Sequence, residues 1–262
     1  ARLEAARAQS WEESVETVRA RGAQHLARAR PLQVAPDLEA GYRRCLLTLD
    51  LLADSRGSVL AAPEFDPAYE RSGGYGYCWP RDAVEVGLGL EAAGYPEYLQ
   101  RFLEWAMGCQ RLEGYWEQRY WLGGERAPSW CTHEDRLQLD QTAAVLFALG
   151  RGVESLAPPE REEYGLRVWP SVRAAADYLV RSLSPVTNLH LPAFDLWETF
   201  RGSFTYSNAA ISCALEGAAV LAREAGDEAR AAQYEERASA VRQAVMDRLW
   251  QGDYFARGVD LE

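Results

Sequence analysis

Lysine is absent from this chain: all 28 of its basic residues are arginines, set against 39 Asp and Glu, and the net charge is -11. The absence excludes Schiff-base chemistry on a lysine and a Walker-type phosphate loop, whose motif ends on that residue. The acidic balance argues against nucleic acid or an anionic membrane surface as partner, since both are held by clustered positive charge. Histidine is scarce, and His25, His133 and His190 are too scattered to form a metal site. Cys45, Cys78, Cys109, Cys131 and Cys213 are odd in number and widely spread, so neither a disulfide framework nor a zinc knuckle is visible. No apolar run reaches about 18 residues, so no membrane span is expected, and the N-terminus carries no signal-peptide core. A G-x-S-x-G elbow and a G-x-G-x-x-G turn are missing, and His133-Glu134 runs on into Asp135-Arg136-Leu137 rather than completing a zinc-binding H-E-x-x-H.

What is present is helical periodicity. Ser10-Trp11-Glu12-Glu13 has the form of a capping box, which predicts a helix from there to about Arg30. Pro31 and Pro36 close that segment, and Asp37 is the expected N-cap of a second helix with Leu38, Tyr42, Cys45, Leu46, Leu49 and Leu52 on its stripe. A short strand is expected over 58–62, then helices over about 83–93, from Pro96 onward, and over 138–151. A polar loop is expected over 158–165, followed by helices over 170–183, from a cap at Ser207 to about 224, and over 228–249. The expected division is a lead-in helix over 1–34 and an all-α body over 35–262.

Between these helices, short or polar connections alternate with long aromatic ones around 54–82, 110–137 and 184–206. If successive helices run antiparallel, the aromatic connections emerge together at one end. Five of the nine tryptophans, Trp79, Trp116, Trp121, Trp130 and Trp197, sit in them. Aromatic faces stack on the C–H faces of a sugar ring, while interleaved Arg, Gln and carboxylate groups pair its hydroxyls. Glycoside cleavage also needs a carboxylic acid that can hold a proton near neutral pH, which a neighbouring tryptophan favours. Glu198, directly after Trp197, has that setting.

The segment Tyr75-Gly76-Tyr77-Cys78-Trp79-Pro80-Arg81-Asp82 resembles the Y-x-Y-x-W-x-R-D motif of glucoamylase-like glycoside hydrolases of family 15. Gly57-Ser58-Val59-Leu60-Ala61-Ala62-Pro63, Tyr115-Trp116-Glu117-Gln118-Arg119-Tyr120, Pro128-Ser129-Trp130, Gln138-Leu139-Asp140 and Asp195-Leu196-Trp197-Glu198 are similar to further family segments, in the family's order. The resemblance implies an all-α (α/α)6 barrel, incomplete in this chain, with a sugar funnel at one end and no metal or cofactor. It implies that Glu198 is the general acid, that Arg81 and Asp82 bind the non-reducing-end sugar, that Tyr75 and Trp79 wall that subsite, and that Trp130 and Trp197 contact substrate nearby. Trp116, Asp140, Asp195 and Arg201 are further candidates around the same site. Two departures stand out: Thr199 occupies the place of a second glutamate found in many members, and no segment matches the one that carries the family's general base. The substrate implied is an α-glucan or oligosaccharide cleaved with inversion to release glucose. Trehalose or α-1,6 glucosides are alternatives on the same scaffold, as is a carbohydrate-binding role without turnover. Partners implied are that sugar substrate, a preceding domain and the remaining part of the same barrel, with no nucleic acid and no membrane.

Overall fold

The computed structural model describes residues 10–64, 74–129, 137–152 and 156–261. Eight helices run through the described residues: α1 (Trp11–Ala27), α2 (Pro36–Leu52), α3 (Pro80–Ala92), α4 (Pro96–Cys109), α5 (Leu139–Arg151), α6 (Pro158–Arg181), α7 (Thr205–Glu224) and α8 (Glu228–Arg248). Three short strands, β1 (Ala193–Phe194), β2 (Arg201–Phe204) and β3 (Gly258–Val259), form an antiparallel sheet in that order. The register sets Ala193 against Gly202 and Ser203 against Val259.

Local chemistry explains most helix starts. The Ser10 side chain accepts the Glu13 N–H and the Glu13 carboxylate accepts the Ser10 N–H, the reciprocal capping box expected from the sequence. The second helix starts earlier than expected, with Ala35 as N-cap and Pro36 in the first turn, where the missing proline N–H costs nothing. The same device brings α3 forward to Pro80 rather than about 83, so Arg81 and Asp82 lie inside its first turn. Ser207 does not cap α7; Phe204 precedes the helix and Ser207 is buried within its first turn. Residues 58–62 form no strand, and Val59 makes only an isolated bridge to Ala53.

The largest departure from the sequence reading is α6, a single helix of 24 residues that includes the expected polar loop and carries Pro170 inside it. Glu160 reaches back to accept the Ala157 N–H at 3.3 Å, which satisfies a donor at the helix start. One turn further, the Tyr164 hydroxyl donates to Leu149 O at 3.1 Å and ties this polar stretch to α5.

The helices pack in two layers. Helix α5 packs against both α3 and α7, and α4, α6 and α8 form the other layer, each packed against its chain neighbours. One continuous core joins these layers, with Leu146, Leu149, Val172, Leu179, Ile211 and Leu215 fully buried at its centre. Helices α5 and α7 approach so closely that a β-carbon on Gly150 would lie 2.8 Å from the Gly217 Cα. Helix α1 buries no residue fully and rests on α2 and the α3–α4 turn, where the Tyr95 hydroxyl donates to His25 O at 2.6 Å. Along α3, α5 and α7 the first turns all point to one end, and the aromatic connections meet there.

Candidate active site

At that end, the tight α3 start sets Arg81 with its backbone N–H donating to the Gln141 side chain at 2.8 Å. Its guanidinium reaches Asp140 Oδ2 at 2.5 Å and Asp82 Oδ2 at 3.1 Å. A cation in the first turn opposes the helix dipole, and these two carboxylates offset that cost. Burial opposes charge on Arg81, but Asp140 and Asp82 outweigh it and hold its pKa above the ordinary arginine value. Asp140 is fully buried, and burial pushes its carboxyl up while Arg81 pulls it back. Asp140 therefore stands beneath Arg81, whereas the Asp82 side chain is half-exposed beside it.

The second component is the hairpin between β1 and β2. Six residues, Asp195 to Phe200, close it, and Glu198 takes a left-handed φ of 58°. A non-glycine residue there needs its surroundings to hold it, and Asp195 supplies the hold. Its Oδ1 accepts the N–H of Thr199 at 2.8 Å and of Phe200 at 3.2 Å, its backbone carbonyl accepts the Glu198 N–H at 3.0 Å, and its Oδ2 pairs with Arg257. Burial alone would raise the Asp195 carboxyl, but the two amides and Arg257 hold it below the usual aspartate range. Gln138, the residue before α5, donates to Asp195 O at 2.8 Å and joins this hairpin to the Arg81 cluster.

His190 anchors the hairpin from below. Its Nε2 accepts the Phe204 N–H at 2.8 Å, which fixes the proton on Nδ1, 2.7 Å from Leu191 O. Burial pushes its pKa down to about 4, so the ring is neutral.

A cleft of about 570 Å³ runs between the two components, lined by Tyr75, Trp79, Arg81, Asp82, Arg119, Leu196, Trp197 and Glu198. Tyr75 and Trp79 stand side by side, ring centroids 5.8 Å apart. The cleft thus combines two exposed aromatic faces, Tyr75 and Trp197, with two guanidinium groups, Arg81 and Arg119, and two carboxylates, Asp82 and Glu198.

Of the residues expected from the sequence, the structure brings Tyr75, Trp79, Arg81, Asp82, Trp197 and Glu198 to one cleft. Trp130 lies outside the described residues. Trp116 does not face the cleft: it is fully buried, and its indole N–H donates to Ala106 O at 2.7 Å. Asp140 and Asp195 support the residues that line the cleft, and Arg201 opens β2 opposite Phe194. Two lining or supporting residues were not singled out in the sequence. Arg119 is buried with its guanidinium 4.7 Å from the Tyr77 ring and 5.1 Å from the Trp79 ring, and Gln118 donates to Glu198 Oε1. Both stand in a quoted motif, but their partners are distant in sequence and left no local signal.

Residues 132–260 match the family model for Glycosyl hydrolases family 15. An uncharacterized glycosyl hydrolase of Methanocaldococcus jannaschii is 30% identical over 174 residues, 66% of this chain and 25% of that protein. A bacterial glucoamylase complexed with acarbose shares the fold with a TM-score of 0.69 at 20% identity, over 89% of this chain and 33% of that one. The family 15 glucoamylase of Hypocrea jecorina gives a TM-score of 0.54 at 22% identity, over 79% of this chain and 35% of that one. The resemblance to family 15 is thereby borne out, and the fold is part of the (α/α)6 barrel of these glucoamylases. A rhamnosidase from Klebsiella oxytoca shares the fold as well, with a TM-score of 0.54 at 16% identity over 70% of this chain and 35% of that one. Fold alone therefore does not select the sugar. The chain spans about a quarter to a third of the lengths of these four relatives.

Proposed function

We propose, from the likeness to glycosyl hydrolases of family 15, that this chain carries the acid side of an exo-acting, inverting α-glucosidase of glucoamylase type. The observation that supports it best is the shared cleft of Glu198, Trp197, Arg81, Asp82, Tyr75 and Trp79. In this reading Arg81 and Asp82 pair the hydroxyls of the terminal glucose, and their fixed geometry at the α3 start selects a chain end. Tyr75 and Trp79 offer ring faces to the sugar. Glu198 donates a proton to the glycosidic oxygen as the C–O bond breaks, and the leaving chain departs as an alcohol. An inverting reaction also requires a water on the opposite face of the ring, activated by a second carboxylate about 6.5–9.5 Å from the acid. By the family's pattern that base belongs to a later part of the barrel.

Glu198→Gln tests the assignment in the protein that carries this chain. Turnover of maltooligosaccharides should fall by about 10²-fold or more, because general acid catalysis contributes about 10²–10⁴. A variant within about tenfold of wild type sinks the assignment. Maltose, isomaltose and trehalose assayed together identify the linkage, and calorimetric sugar binding without product on any of them would indicate a binding module instead.

A further inference from the structure

We propose that Gln118 is a positioning residue that decides which oxygen of Glu198 carries the proton. The proposal rests on the reading of Glu198 as the acid. Gln118 lies in the buried run 114–120 and is 1% exposed, yet its amide reaches a cleft-lining carboxyl. Its Nε2 donates to Glu198 Oε1, and its Oε1 accepts the hydroxyl of Ser129. These two contacts orient the amide together: the NH2 end donates to Glu198 Oε1 and the carbonyl end takes the Ser129 hydroxyl.

The consequence for the acid is geometric. The Asp195 contacts fix the Glu198 backbone, but the side chain still has rotatable bonds between that backbone and its carboxyl. Among the described residues, Gln118 is the hydrogen-bond partner that holds the carboxyl itself. With Oε1 engaged as an acceptor, the catalytic proton belongs on Oε2. The chain of contacts Ser129, Gln118, Glu198 crosses from the α4–α5 connection to the β1–β2 hairpin. No proton moves along it: Gln118 stays neutral and its amide hydrogens remain in place while Glu198 gives up and regains its proton at Oε2.

A positioning role and a purely structural one differ in how they depend on the leaving group. Maltose must be protonated as its bond breaks, whereas α-glucosyl fluoride releases fluoride with far less need for an acid. Gln118→Ala and Ser129→Ala are compared with wild type on both substrates, in the protein that carries this chain, with Glu198→Gln in parallel. The expected result for Gln118→Ala is a kcat on maltose lower by about tenfold or more, a part of the roughly 10²–10⁴-fold that general acid catalysis contributes. Its rate on the fluoride should stay within about threefold of wild type and its KM for maltose within a similar factor, as for an interaction made in the transition state. Ser129→Ala should shift the maltose-to-fluoride ratio in the same direction by less. Equal losses on the two substrates, or an unchanged ratio in both variants, overturn the proposal. If Gln118→Ala does not fold, the ratio measured for Ser129→Ala decides alone. Glu198→Gln separates the two levels of the argument: if it spares maltose turnover, the acid assignment itself fails, and if it shows the selective loss while the other variants do not, only the role of Gln118 fails.

Discussion

Replacing Asp195 tests whether the loop that carries Glu198 is held as the structure shows. The Asp195 side chain is 3% exposed, and its Oδ1 accepts two backbone amides, from Thr199 at 2.8 Å and Phe200 at 3.2 Å. A hydrogen bond to a charged group contributes about 1.5–3 kcal/mol net. These two share one oxygen, and water can reach the opened loop, so about 2 kcal/mol for the pair is reasonable. The partner on Oδ2, Arg257, is 43% exposed, and solvent screening limits that ion pair to at most about 0.5 kcal/mol. Asp195→Ala should then cost about 2–3 kcal/mol, a fall in Tm of roughly 4–12 °C for a chain of this size. Asparagine keeps an acceptor oxygen but not the charge, and charge-assisted bonds are about twice as strong as neutral ones, so Asp195→Asn should lose about half as much. The pH dependence follows in sign. The folded carboxyl lies below its unfolded value, so its contribution is full above pH about 4 and is lost as pH falls through the lower folded value. Thermal melts followed by circular dichroism at pH 7, 5 and 3 measure both effects. An alanine variant melting within about 1 °C of wild type at pH 7, or an asparagine variant as damaged as alanine, would refute the two-amide account.

Two further outcomes concern the scaffold. Burial of His190 lowers its pKa from 6.5 to about 4, so in that window the unfolded chain takes up a proton that the fold refuses. Stability should fall by up to about 3 kcal/mol as pH drops from 6.5 to 4, and melts of His190→Gln, less stable at pH 7, should show a flatter slope. The same slope in both would show that His190 is not the group responsible. Gly150→Ala should cost about 2–3 kcal/mol, since its new methyl meets backbone at Gly217 2.8 Å away, while Gly41→Ala on open α2 surface should gain about 0.5–1 kcal/mol. Urea unfolding of the two variants checks the pair, and equal effects would mean that the α5–α7 approach is looser than it stands.

Helix existence was legible in the sequence because it depends on local rules: the capping box at Ser10, the proline at Pro96, the stripes of apolar residues. The errors came where a tertiary contact outweighed a local one. Residues 158–165 read as a polar loop because their charges face solvent, yet Tyr164 fastens them to α5 and they continue as helix through Pro170. Trp116 shows the converse for the site. It lies in a motif beside Gln118 and Arg119, and an aromatic in a loop expected to bind sugar invites a ligand role, but its indole donates inward to Ala106. Alternation of facing within 115–120 cannot be read from a segment whose residues are all buried. The expected lining residues were recognisable by type and order, whereas their supports, Gln118, Gln138 and Asn208, act on partners between 18 and 80 residues away and are visible only once the loops meet.

Those supports explain how loops can hold a precise site. Buried polar groups are costly unless paired, and here Gln118, Gln138, Asp140, Gln141, His190, Asp195 and Asn208 are all buried at the same end of the helices. Their contacts are mostly between connections rather than within one. Gln138 joins α5 to Asp195, Asp140 joins α5 to Arg81 on α3, Gln118 joins the α4–α5 connection to Glu198, and His190 with Asn208 joins the hairpin to α7. Each of these contacts ties one connection to another element, so loss of a member loosens the hold between loops rather than within one. The tightly packed helices below, with Gly150 against Gly217, fix where each loop begins, and this network fixes where each loop ends. Positional precision at Glu198 therefore comes from polar contacts between loops. If Glu198 is the acid, as proposed, substitutions in that network should lower turnover well before they unfold the helices.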